Sequence, residues 1–382
     1  MGWLQWSFIS ATLLQLLYYG MVLSRAWRQP KQFRQPANTE TLQGVSIIVC
    51  ARNEAKNLKE HLPVWLNQSV FSKHSRGSTP SSSELIIVDD GSTDETAAII
   101  RDMQSAHPYL RLIQPPQPTR AGKKEALTAG IRAANNDLLL LTDADCRPAS
   151  NDWAALMASG LNGESELVLG YSPYLTDNNW LGRWQAFETD YTALQYLGFA
   201  QIGLAYMGVG RNMAYQRQFF ERVNGFADHL HLPGGDDDLL VGQAARAGST
   251  EVQIQKEAWT YSKPSNSWGE YWQRKHRHLS VGRHYSRLMR ALLGLLALSH
   301  GLHYLLGLVL VLAGSWRVFV LFYLLRIVVV SIVYCLSPRI CNERNTTLFY
   351  LPLLDAGLCF YYLFNLWATL FSQSPKQWEK RS

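Results

Sequence analysis

Cysteine is scarce, with five among 382 residues and no paired spacing. That excludes a disulfide framework and a zinc cluster, both of which need cysteines in close pairs. Cys50, Cys335 and Cys359 lie in apolar runs and read as small buried hydrophobes. Glycine-rich phosphate loops are missing as well. No Gly-x4-Gly-Lys-Ser/Thr occurs, which excludes a Walker A loop, and the only Gly-x-Gly, Gly208-Val209-Gly210, comes late and lacks a third glycine. Residues 50–57 hold no glycine, which argues against a nucleotidyltransferase loop. The net charge of +6 is modest and its basic residues are localised, so no nucleic-acid partner is expected.

Charge is also missing from both ends of the chain. Residues 1–24 form an apolar run long enough to span a bilayer, and Arg25, Arg28, Lys31 and Arg34 follow it. A cleaved signal would carry its charge before the run. The pattern predicts a retained anchor, a basic linker over 25–43, and a cytosolic side after the anchor. Three further apolar segments are expected within 286–371: Ala291–Trp316, Val318–Ser337 with Arg326, and Thr346–Phe371 with Asp355. An intramembrane Arg and Asp either pair across helices or snorkel to headgroups, and both readings stand at this point. Four spans would place the polar tail 372–382, with Lys376, Lys380 and Arg381, outside, against the charge rule.

Between 44 and about 260, strand and helix signals alternate, which predicts an α/β fold. Apolar runs at Val45–Cys50, Leu85–Val88 and Leu138–Leu141 end in polar or acidic residues, and helix signals follow. Ligands of open α/β sheets bind at the carboxyl ends of strands. Asp90 and the pair Asp143 and Asp145 should therefore converge on one edge.

Five constellations carry chemistry. Asp143-Ala144-Asp145 closes a strand, and carboxylates two apart on a strand face one side, suited to a hard cation such as Mg or Mn. In Asp89-Asp90-Gly91-Ser92, turn and capping preferences explain Ser92 and Thr93, while Asp90 is placed to accept hydrogen bonds from a base or ribose. Gly122-Lys123-Lys124 opens a helix, where the lysines either meet phosphate or are solvated. Asp236-Asp237-Asp238 after Gly234-Gly235 is either a helix start rich in acid or the seat of a general base. The stretch Trp272–His278, with Arg274, Lys275 and Arg277, suits anionic lipid or a diphosphate.

In this order the segments SIIVCARNEAKNL, IIVDDGSTDET, AGKKEAL, LLLLTDADCRP, MGVGRNMAYQRQFF with VNGF, and GGDDDLL resemble the family 2 glycosyltransferases, over roughly 44–285. The resemblance implies a GT-A fold with one N-terminal and about three C-terminal transmembrane helices. It implies Cys50, Ala51, Glu54, Asp90 and Lys123 at the nucleotide sugar, Asp143 and Asp145 at metal and diphosphate, and Asp236 or Asp237 as catalytic base. Gly235 replaces the family's Glu, so the register between those two acids stays open. Arg277 falls where processive members carry Gln-x-x-Arg-Trp, but Arg274 and His278 replace the Gln and Trp, which argues against polymer synthesis. The implied reaction is inverting transfer from a nucleotide sugar, a UDP sugar first, to a lipid-linked or saccharide acceptor. The place implied is the inner membrane, multi-pass, with membrane lipid as a partner and the 44–285 domain cytosolic. A nucleotidyltransferase and a non-catalytic membrane scaffold are the rival classes; the scaffold would not need three separate acidic clusters.

Overall fold

Helices that meet lipid expose apolar side chains, and that pattern separates one part of this chain from the rest. The computed structural model describes residues 2–30, 44–72, 82–116, 122–161, 164–175, 179–232, 234–245, 248–279, 281–337, 339 and 347–371. They divide into two units, one drawn from residues 1–28, 178–202 and 266–373, the other from 29–177, 203–265 and 374–382. The basic linker positions 31–43, residues 73–81 and 340–346, and the tail from 372 lie outside the described residues.

The first unit is helical: α1 (Trp3–Leu17), α6 (Trp180–Gln201), α9 (Trp268–Leu279), α10 (Arg287–Leu312), α11 (Trp316–Cys335) and α12 (Thr347–Phe371). Among the described residues, three stretches are long and apolar enough to cross a membrane: Trp3–Arg25, where α1 continues through a wider π turn and then a tighter 3-10 turn, then α10 and α11. Leu298, Leu305 and Leu312 on α10 and Leu321 and Val328 on α11 are exposed, as lipid-facing residues would be. The chain is membrane-associated. The expected third C-terminal span is corrected in part. Residues 347–371 are helical, but the apolar stretch among the described residues, Leu348–Phe364, is shorter than the roughly 20 residues a span takes. Cys335 is exposed, contrary to expectation, on the lipid-type face of α11.

The open question about Arg326 is answered by geometry. Arg326 Nη1 donates to Asp355 Oδ2 at 2.5 Å and Nη2 to Asp355 Oδ1 at 3.2 Å, and neither residue is exposed. Gln15 Oε1 and His300 Nδ1 lie 3.1 and 3.0 Å from the same Nη2, and Tyr304 donates to Asp355. The two charges pair across helices instead of reaching for headgroups.

The α6 helix was not anticipated. It is buried along nearly its whole length, yet it carries Glu188 and Asp190. Lys275 on α9 lies 2.6 Å from Glu188, Arg274 donates to Gln185 at 2.7 Å, and Arg339 donates to Asp190. The basic stretch of α9 is thus partly consumed in holding α6.

The second unit is built on a seven-stranded sheet of order β3-β2-β1-β4-β7-β6-β8. Its strands are β1 (Val45–Ala51), β2 (Glu84–Asp89), β3 (Leu110–Ile113), β4 (Leu138–Asp143), β6 (Leu167–Gly170), β7 (Met213–Gln216) and β8 (Thr250–Gln253). The first four are parallel, β7 runs antiparallel to its neighbours β4 and β6, and β8 is parallel to β6. A separate ribbon pairs β5 (Cys146–Pro148) with β9 (Thr260–Ser262). The helices α2 (Ala55–Leu66), α3 (Thr96–Gln104), α4 (Lys123–Ala133), α5 (Trp153–Ala158), α7 (Arg217–Glu221) and α8 (Asp238–Ala244) belong to it. β1 and β2 are buried throughout, as expected of parallel strands covered on both faces. A Cβ at Gly130 would stand 2.8 Å from Ile48 and 2.9 Å from Val88, so α4 approaches β1 and β2 closely only because that residue has no side chain.

Candidate active site

Parallel register gathers the predicted residues on one edge. Cys50 is the register partner of Asp143, Ala51 of Asp89, and the Asp90 amide donates to the Ala51 carbonyl at 2.9 Å. Asp90 is fully buried and has Arg52 Nη1 3.7 Å from its Oδ2, a cationic neighbour the sequence reading did not single out. Asp89 is structural: its oxygens accept from the Ser92 amide at 3.0 Å and from Gln114 at 2.9 Å. Asn53, at φ 57°, locks the loops after β1 and β2 together by accepting from the Thr93 amide at 2.8 Å while its own amide donates to Ser92 Oγ at 2.9 Å. Glu54 stands at the start of α2 and accepts from Asn57 at 2.6 Å.

Lys123 is the hub. Its ammonium lies 2.7 Å from Asp143 Oδ1 and 2.8 Å from Asp236 Oδ2. Burial works against that charge, but Asp143, Asp236 and Asp237 outweigh it and raise its pKa well above the ordinary lysine value. Neither lysine of the pair is simply solvated. Lys124 is buried and donates to the carbonyls of His229 and Leu232 at 2.5 and 3.0 Å, tying α4 to the loop before the acidic cluster. Burial lowers its pKa to about 8.

The three consecutive acids have different surroundings. Burial opposes ionisation of Asp236, but the Lys123 ammonium prevails and holds its carboxyl below the usual range. Asp237 accepts from the Gly210 amide at 2.9 Å and from the Asp238 amide at 2.8 Å, capping α8. Burial first, and the Asp236 charge second, push its carboxyl upward. Asp238 is the first residue of α8. Gly235 has φ 87°, a conformation that a Glu would adopt only with strain, which gives a backbone reason for the departure from the resembling pattern.

The Asp-x-Asp geometry differs from the strand pleat expected. β4 ends at Asp143, residues 144–145 form a turn, and β5 begins at Cys146. The turn brings ligand atoms of Asp143, Asp145 and Cys146 within 4.8 Å of one another. The donor set fits a hard divalent cation, because two carboxylates supply the oxygens such ions prefer. Cys146 is not suited to join them. Burial, then the charges of Asp145 and Asp143, hold its thiol protonated, and Sγ donates to Asp145 Oδ1 at 3.4 Å. Arg211, also missed in the sequence, is anchored by Ser172 at 2.8 Å and lies over the Tyr174 ring at 4.9 Å. Arg277 lies on α9, in the helical unit.

A model described as glycosyl transferase family 2 matches residues 46–223, the span that supplies β1 to β4, β6 and β7 and the site residues up to Arg211, but not the 229–238 segment with its acids nor Arg277. Residues 46–223, just under half of the chain, are thus similar to glycosyl transferase family 2, and the sheet-bearing unit has a GT-A-like fold. The mannosyltransferase PcManGT of Pyrobaculum calidifontis, solved in complex with GDP-Man and Mn2+, superposes with a TM-score of 0.54 at 17% identity, covering 96% of this chain and 95% of that one. The probable glycosyltransferase YdaM of Bacillus subtilis is 22% identical over 293 residues, 71% of this chain and 64% of YdaM. The glycosyltransferase AglE of Haloferax volcanii is 26% identical over 198 residues, 52% of this chain and 60% of AglE. The chain thus spans less than two thirds of these curated relatives.

Proposed function

We propose that this protein is a family 2 glycosyltransferase that moves one sugar from a nucleoside diphosphate sugar to a lipid-linked or saccharide acceptor at the membrane, with inversion at the anomeric carbon. The observation that carries the reading is Lys123 held between Asp143 and Asp236, which brings one acid from the end of β4 and one from the start of α8 to a common point. Cys50, Ala51, Glu54 and Asp90 would line the nucleotide side, with Arg52 beside Asp90. Asp143 and Asp145 would hold a divalent cation, Mg or Mn, which when bound neutralises charge on a departing diphosphate. Asp236 is the general base and Asp237 its structural neighbour. Asp236 takes the proton of the acceptor hydroxyl. The freed oxygen bonds to the anomeric carbon as the bond from that carbon to the diphosphate oxygen breaks, and the diphosphate leaves with that electron pair. One displacement needs no nucleophile on the protein.

The donor to test first is a UDP sugar; GDP-mannose, the ligand of PcManGT, is the second. The unit bearing the sheet is cytosolic in this reading, because Arg25 and Arg28 follow the first apolar stretch and nucleotide sugars are cytosolic metabolites. The test incubates the purified full chain with labelled UDP and GDP sugars, Mn2+, and polyprenyl phosphate or oligosaccharide acceptors. NMR of the product then reads the anomeric configuration. Retention of configuration would remove the single displacement, and absence of transfer across the panel would remove the reading. For orientation, a cysteine placed at Ser81 should resist an impermeant thiol reagent in intact cells; ready labelling would reverse the topology.

A further inference from the structure

His61 is the one histidine among the buried residues of α2, where Leu58, Leu62, Trp65 and Leu66 are otherwise apolar. An imidazole is costly to bury unless its nitrogens find partners. Its Nδ1 lies 3.1 Å from the carbonyl oxygen of Ala144. A carbonyl only accepts, so Nδ1 carries the hydrogen and the tautomer is set by this contact. Ala144 is the middle residue of Asp143-Ala144-Asp145, is itself buried, and its carbonyl belongs to the peptide that leads into Asp145. Among the described residues the imidazole is the hydrogen-bond partner of that carbonyl.

Nε2 makes no hydrogen bond to Glu60, whose Oε1 stands 3.7 Å away, and Glu60 Oε2 accepts from Lys263 at 2.8 Å. Lys263 directly follows β9, which pairs with β5, the strand that leaves the turn. Helix α2 therefore grips the turn twice, through His61 at its centre and through Glu60 and Lys263 at the strand beyond. The ring also meets Trp65 edge-on at 6.1 Å, which limits its freedom to rotate.

We propose that His61 is a positioning residue that fixes the Ala144–Asp145 peptide and thereby aims the Asp145 carboxylate at the divalent cation it shares with Asp143. The inference rests on the metal reading given under the proposed function. Groups behind a metal ligand commonly change metal affinity by 10–100-fold when removed. The same range is expected here although the contact runs through backbone.

The experiment titrates Mn2+ into the purified full chain and follows free Mn2+ by electron paramagnetic resonance, with no sugar donor present. Thermal unfolding is recorded in parallel. His61→Leu keeps bulk and removes the donor, and should weaken Mn2+ binding about tenfold or more at the low end of that range. His61→Asn places an amide nitrogen near the Nδ1 position and should recover most of the affinity. His61→Gln places it near Nε2 and should not, so it serves in place of the Leu variant if that one fails to fold. A ratio of kcat to KM that falls through KM for the donor, with rescue by Asn, is the matching kinetic result. Wild-type Mn2+ affinity in folded His61→Leu or His61→Gln overturns the positioning role alone. Absence of Mn2+ binding by the wild type overturns the metal reading and this inference with it.

Discussion

Lys123 and Asp236, separated by 113 positions in the chain, meet with Nζ 2.8 Å from Oδ2. The contact distinguishes Asp236 from Asp237, whose oxygens are engaged by the amides of Gly210 and Asp238. Asp236→Asn should lose about 10²–10⁴-fold in kcat, the usual range for a general base, with donor affinity little changed. Asp237→Asn should instead lower the melting temperature, because one backbone donor would then face an amide NH2, at a cost of about 1–3 kcal/mol. Turnover and thermal unfolding of both variants decide it. Near-normal turnover in Asp236→Asn with loss in a stable Asp237→Asn would move the base by one residue.

Asp143→Asn and Asp145→Asn should each abolish turnover while the protein stays folded and in the membrane. The measurement is labelled-sugar transfer with added Mn2+, with a chelated control. Full activity in the chelator would end the metal role.

His229 gives the stability a pH dependence. Its ring is buried, and burial first, then the Lys124 charge, lowers its pKa to about 4 from the ordinary 6.5. The unfolded chain takes up this proton near pH 6.5 and the folded one only near 4, so the group's contribution is intact above pH 6.5 and is lost as pH falls toward 4. The full loss is about 3 kcal/mol. His229→Gln should flatten the fall in melting temperature between pH 7 and 4.5; an unchanged slope would show that other groups govern it.

Arg326→Leu or Asp355→Leu alone leaves a buried charge without its counterion, a loss of about 3–5 kcal/mol in comparable pairs. The double variant should recover most of that. The fraction of protein that stays monodisperse in detergent after heating measures it. Equal loss in the double variant would mean that His300, Gln15 and Tyr304 need the ions for their own placement.

The sheet was legible because parallel strands covered on both faces appear as unbroken apolar runs, and because each run ended where a ligand-binding edge would lie. The register of Cys50 with Asp143 then follows from β1 and β4 lying side by side. What escaped depends on partners far along the chain. Lys124 reads as a phosphate contact or a solvated residue until the carbonyls of His229 and Leu232 are seen around it. His61 drew no reading from the sequence, because only the fold sets it beside Ala144. Helix α6 has no polar face to mark it, since its acids are neutralised by Lys275 and Arg339. The Asp-x-Asp pair was legible as residues but not as geometry, because the strand stops at the first residue of the motif and a turn carries the rest.

Helix α6 also bears on how the chain is made. It is encoded between β6 and β7, yet it belongs to the helical unit. A ribosome therefore releases α6 before the strands that complete the sheet, and well before Lys275 and Arg339 exist to meet Glu188 and Asp190. During that interval a long apolar segment with two uncompensated acids must wait. The same order means that no single cut can free the sheet-bearing unit as a soluble fragment. Trimming both termini would leave α6 in the middle of the product, stripped of its cations, so recombinant work on this enzyme has to carry the membrane helices along.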